Sequence, residues 1–379
     1  MFYHKEMLVN KILIKITIIF IYIIALNINT YAEDINSEFG INEFLNEAEE
    51  YTEDIDIKEM LDSLVQGKLD TSSFSGKILD YLGGEVIQGL KIITSILVII
   101  IIHSILKSVS ESLGNNNVSK IVYYVQYILI VTIIMNSFIG IAELVKTTAN
   151  SLIGFMNLLI PLLMALMIYT GNIVSTSIIE PVLIFMINIF GNLIQNILIP
   201  LTLIFTSLNI VSKLTDTIKI DKMTKLLKKG TVWGLGILVT IFVFVLSLQK
   251  TLSSSIDGIT AKAAKSIVTS AVPVVGKILS DAVDNIVGSA IVLKNATGIL
   301  GIIIMLCICL LPIIKLSVLT LAYKVTAVVC EPVADGKIIS LIEEMGDIFK
   351  IFLAILIILA IMLIVGTTLV ISITNSGFN

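Results

Sequence analysis

Ile351-Phe-Leu-Ala-Ile-Leu-Ile-Ile-Leu-Ala-Ile-Met-Leu-Ile-Val-Gly-Thr-Thr-Leu-Val-Ile-Ser-Ile373 carries no charge over 23 positions. As an α-helix it rises about 35 Å, enough to cross a hydrocarbon core about 30 Å thick. Outward from this stretch the same character fills most of the chain between Leu90 and Phe378, broken by short charged segments. Mean hydropathy is +1.01 and only 14% of residues are charged, against about 25% in an ordinary soluble domain. A water-soluble globule is excluded. In lipid every backbone N–H and C=O needs an internal partner, which helices supply within themselves. The expected class is all-α: a polytopic helical membrane protein.

Charge divides the chain into parts. Residues 33–87 hold 15 acidic side chains against Lys58, Lys68 and Lys77, a local charge of -12. With -4 overall, the rest of the chain stands at +8. Residues 1–32 read as a signal peptide: Lys5, Lys11 and Lys15, then apolar Ile16 to Ile28, then Thr30-Tyr31-Ala32. An uncleaved first helix is the other reading. Both put the acidic residues 33–87 outside the cytoplasm. Phe44-Leu45, Ala48 and Tyr51, then Met60-Leu61 and Leu64-Val65, recur at helical spacing and predict two short amphipathic helices, too small to hold a core alone.

Residues 88–379 form the expected membrane domain, with about six to nine segments. Leu90 to Leu106, Ile121 to Ala142 and Leu152 to Tyr169 predict three spans, with Glu143 and Lys146 in a loop between the last two. Ile178 to Val211 is too long for one crossing and predicts a break near Pro200. Lys213 to Lys229 holds six lysines against Asp216 and Asp221, the mark of a cytoplasmic loop. Residues 250–294 read as a long amphipathic stretch. Ala296 to Val329 predicts a hairpin turned at Pro312, and Lys315 and Lys324 are expected to snorkel toward an interface.

Chemistry-bearing motifs are sparse. Phosphate-loop, zinc-protease and nucleophile-elbow patterns do not occur. All 25 basic residues are lysine, so no bidentate arginine clamp exists. Cys307, Cys309 and Cys330 sit in apolar runs and, with only His4 and His103, make no ordinary zinc set. Asp281 and Asp284 lack a protease motif. No enzyme activity, metal or cofactor is expected.

Two polar groupings remain. Glu180, Asn188, Asn192, Gln195 and Asn196 form a stripe that ends at the Pro200 break. In hydrocarbon each wants a partner, as glue between packed helices or as the wall of a hydrated path. Gly276, Ser280, Asp284 and Gly288 line one face four residues apart, with Asp281 beside them. Close helix packing and a gate or lumen lining are the two readings.

Glu180-Pro-Val-Leu-Ile-Phe-Met-Ile-Asn188, Asn192-Leu-Ile-Gln-Asn-Ile-Leu-Ile-Pro-Leu201, Asp257-Gly-Ile-Thr-Ala-Lys-Ala-Ala-Lys265, Pro273 to Lys277, Ser280 to Asp284 and Val292 to Gly298 resemble the stage III sporulation protein AE family of endospore-forming bacteria. The resemblance covers most of the chain. It implies a multi-pass protein of the mother-cell membrane that surrounds the forespore. It further implies a permease-like subunit of a secretion-like channel complex needed for forespore development and late sigma factor activity. The implied partners are the other subunits of that complex and the bilayer, and no nucleic acid; a homo-oligomer is a separate expectation, from the small-residue face at Gly276 to Gly288. A stand-alone secondary transporter, with its site near Pro200, is the competing expectation.

Overall fold

The computed structural model describes residues 41–51, 57–65, 72–112, 116–214, 220–253 and 275–373. The signal segment and residues 254–274 lie outside them, as do the side chains of His103, Gly276, Ser280, Asp281 and Asp284. Among the described residues there is no strand. The helices are α1 (Ile41–Ala48), α2 (Ile57–Val65), α3 (Ser72–Ser112), α4 (Asn116–Tyr169), α5 (Ile173–Leu193), α6 (Ile199–Leu214), α7 (Asp221–Ser253), α8 (Val275–Cys330) and α9 (Gly336–Ile373). Six helical stretches are long and apolar enough to cross a membrane, with α5 and α6 acting as one.

Three expected breaks are absent. α4 runs unbroken for 54 residues through Glu143, Lys146 and Pro161. Its inner face continues across the charges as Phe138, Ile141, Val145, Ala149, Leu152 and Phe155, all buried at three- and four-residue spacing. Packing on that face outweighs two charges that point outward. α8 likewise passes through Pro312 for 56 residues, with no hairpin turn. At 1.5 Å per residue each helix reaches about 80 Å, well beyond one hydrocarbon core. Between α5 and α6 the chain does not turn back at Pro200. It widens into a π turn, Ile194–Leu198, where the Ile199 N–H reaches the Ile194 carbonyl. Proline has no N–H and its ring crowds the carbonyl four residues back, and the wider turn absorbs both faults.

The connections are short where described. Thr170 to Asn172 joins α4 to α5 with Gly171 at φ +83°, and the Asn172 N–H reaches back 3.1 Å to the Met167 carbonyl. Asp335 caps α9 through a 3.0 Å bond from the Lys337 N–H. α3, α4 and the α5–α6 rod separate the acidic segment from the lysine-rich residues after Leu214. Three candidate spans, an odd number, thus lie between these two parts.

α8 and α9 form the tightest pair, antiparallel along their lengths. A Cβ at Gly298 would fall on Ile371, and one at Gly301 on Leu159 of α4. These glycines let three backbones close on one another. The two short N-terminal helices pack onto this frame: Phe44 and Tyr51 stack against Phe155 of α4, and α2 lies on α8.

A polar face at membrane depth

The asparagines singled out in the sequence do come together, on the outside of the bundle. Asn188 and Asn192 of α5 and Asn196 of the π turn are exposed, while Glu180, Gln195 and Pro200 are half-buried. The Asn188 amide donates to Asn157 Oδ1 of α4 at 3.2 Å, and Asn157 donates back at 3.3 Å. Asn188 also donates to the Ile184 carbonyl at 2.8 Å, and Asn196 donates to Asn192 Oδ1 at 2.7 Å. One amide pair therefore ties α4 to α5. The remaining amide capacity points away from the chain's own helices.

Prolines add to this patch. Pro161 and Pro200 each lie four residues after an asparagine of the patch, Asn157 and Asn196. In an α-helix a proline withholds the donor that the fourth carbonyl back would receive. Amides, and the Asn157 carbonyl that Pro161 leaves without its helical donor, thus gather on one surface inside the apolar spans Tyr123–Tyr169 and Ile173–Lys213, while the π turn accommodates Pro200.

Helix α4 prolongs this polar surface in a way the sequence reading missed. Thr132, Asn136, Gly140, Glu143, Thr147 and Asn150 are all exposed, at spacings of three and four residues. Placing Glu143 and Lys146 in a loop had cut that stripe in two. The signal was the apolar periodicity from Phe138 to Phe155, which does not falter at the charges. Above the stripe, the Tyr51 hydroxyl lies 2.9 Å from where a Cβ at Gly154 would stand. Burial, with Glu50 and Glu47 close by, holds the Tyr51 phenol above its ordinary pKa.

The second candidate stripe is described at one position only. Gly288 on α8 is exposed with open space around it.

Elsewhere several membrane-domain charges are paired. Asp347 of α9 bridges Lys324 of α8 at 2.7 Å and Lys228 of α7 at 2.8 Å. Glu343 adds a 3.4 Å contact to Lys324, and Glu344 one of 3.4 Å to Lys213 of α6. Lys315 meets Glu85 of α3 at 3.5 Å, with the Glu85 side chain only 6% exposed. Lys315 and Lys324, expected to snorkel, instead staple helices. Lys294 was not anticipated at all. It is fully buried, and its ammonium group donates to the Val370 and Ile371 carbonyls at 3.2 and 3.0 Å, closing the last turn of α9.

These features define a multi-pass helical membrane protein whose charges knit helices together at several levels and which turns the amides of Asn157, Asn188, Asn192 and Asn196 outward. The family model for stage III sporulation protein AE matches residues 55–374. The stage III sporulation protein AE of Bacillus subtilis (strain 168) is 32% identical over 282 residues, covering 74% of this chain and 71% of that protein. The chain belongs to the stage III sporulation protein AE family, and its role lies in sporulation. No solved structure matches it.

Proposed function

We propose that this chain is a non-enzymatic, permease-like subunit of a channel complex in the mother-cell membrane around the forespore, one that supports forespore development and late sigma factor activity. The observation that carries the reading is the exposed amide patch of Asn157, Asn188, Asn192 and Asn196 within apolar spans. Hydrocarbon is a poor solvent for such groups, so the face fits contact with water or with neighbouring subunits. One chain supplies one wall, and other subunits complete the path. A self-contained transporter would hold its polar site between its own helices. The four amides of this patch stand outside them, which favours the shared path.

The test is Asn188→Leu combined with Asn192→Leu in the full chain during sporulation. The expected result is at least about tenfold fewer heat-resistant spores with the protein still in the membrane at its normal level, because the lost groups serve the path more than the fold. In parallel, Asn192→Cys should react with a membrane-impermeant maleimide in sporulating cells. Normal spore yield in the double variant, or reaction of Asn192→Cys with lipid-soluble reagents alone, would remove the path from the proposal.

A further inference from the structure

Glu143 and Lys146 are two adjacent charges of opposite sign that the bundle does not pair. Both are exposed on α4, inside the apolar span Tyr123–Tyr169. Among the described residues neither has an ion-pair partner, and they do not pair with each other. The Glu143 backbone carbonyl accepts the Thr147 hydroxyl, and the carboxylate stays free. Around them Thr132, Asn136, Gly140, Thr147 and Asn150 lie within about 40° of one line along the helix, at 100° per residue. The line extends about 27 Å. The Thr132 and Thr147 hydroxyls donate to the Ile128 and Glu143 carbonyls, and lipid would leave Asn136, Glu143, Lys146 and Asn150 unmet.

From this geometry we infer that α4 is a seam on which a second copy of this chain sits. The copies lie side by side about a two-fold axis along the membrane normal, with Glu143 of each facing Lys146 of the other. Both copies insert with the same topology, so their α4 helices run parallel and like residues meet at like depth. Glu143 and Lys146 are three residues apart, about 4.5 Å along the axis. A parallel two-fold pairing therefore sets each carboxylate only about 4.5 Å in depth from the opposite lysine, a step the long lysine stem spans. A partner of uniform charge would satisfy one of them and oppose the other. Gly140 has open space around it, which lets the two backbones approach. Threonine and asparagine both donate and accept, so the stripe complements itself.

A second feature lies at the lower end of the same face. A cleft of about 230 Å³ between α3 and α4 is lined by Ile99, Ile102, Leu106, Ile121, Val125 and Leu129, with Gln126 at its floor. Gln126 is 3% exposed, and neither its amide nitrogen nor its oxygen has a hydrogen-bond partner. A buried amide left bare calls for an occupant with a polar atom. The paired α4 runs past this cleft. Its half-exposed Tyr124 carries a hydroxyl able to both give and take a bond. The inference goes beyond the proposed channel role and does not depend on it.

The test uses two differently tagged full-length copies, co-expressed in native membranes. Glu143→Lys and Lys146→Glu, each present in both copies, are each expected to cut co-capture about tenfold, and the double swap should return it to within about twofold. In a chain with Cys307, Cys309 and Cys330 replaced by serine, Thr147→Cys should form a disulfide-linked homodimer on oxidation, and Phe244→Cys on the exposed face of α7 should not. Gln126→Leu is expected to leave the protein in the membrane and weaken co-capture several-fold. Co-capture indifferent to both single reversals would overturn the seam. So would Thr147→Cys cross-linking to a different protein, or reacting freely with a hydrophilic maleimide in the assembled membrane. Normal spore yield in the Asn188→Leu, Asn192→Leu double variant with intact co-capture would count against the channel reading alone and would leave the seam standing.

Discussion

The α8–α9 pair and the outer face of α4 spend their polar residues in opposite ways. On α8 and α9, Lys324, Asp347 and Glu343 find partners, Lys294 closes a helix end, and Lys315 holds α3. On α4, Glu143, Lys146 and a run of threonines and asparagines stay outside the bundle within an apolar span. The cost of an ionised group in lipid is the same for both regions. Charges satisfied within the chain belong to its architecture. Charges left open at membrane depth mark where the chain is not its own complete environment.

The comparison breaks first at Lys294. Lys294→Ala removes a fully buried stem and strips two carbonyls of their donor, so about 3 kcal/mol of stability should be lost. Lys294→Met keeps the stem and should lose only about 1 kcal/mol. Thermal unfolding in mild detergent reads both, and equal losses would mean that the bonds to Val370 and Ile371 carry the whole effect. Gly301→Val comes next: its side chain would strike Leu159, and about 2 kcal/mol of overpacking is expected in the same measurement. Asp347→Asn should cost about 1–2 kcal/mol, because Lys228 and Lys324 lose one shared, partly exposed partner. The smallest effect belongs to the open face. Asn188→Leu should change stability by about 1 kcal/mol or less, since one reciprocal amide pair is lost and lipid accepts the new side chain. A loss at Asn188 as large as that at Lys294 would erase the distinction between the two regions.

Much of the class was legible in the sequence, because bilayer crossing depends on length and hydropathy and both are local properties. The all-α fold, the two short amphipathic helices and the asparagine stripe of α5 could be read from spacing. Helix continuity could not. Pro200, Pro312 and the Glu143–Lys146 pair each resemble a stop when taken alone. They pass because neighbouring helices hold the inner faces of α4, α6 and α8, and because a π turn can absorb a proline. The ion pairs escaped for a related reason: Lys315 and Glu85 lie far apart in sequence, and nothing local brings them together. Lys294 was hidden for the same reason, since its acceptors are backbone carbonyls of a different helix.

Helix α4 is about 80 Å of unbroken rod, and Tyr51 rests on it at Gly154, about 22 Å from its nearer end. Such a rod works as a lever. A tilt of about 10° about one end carries the far end about 14 Å. A push on the acidic head through Tyr51 and Phe155 would thus reach the opposite side of the molecule as a displacement several atoms wide, with no need for any helix along the way to unwind.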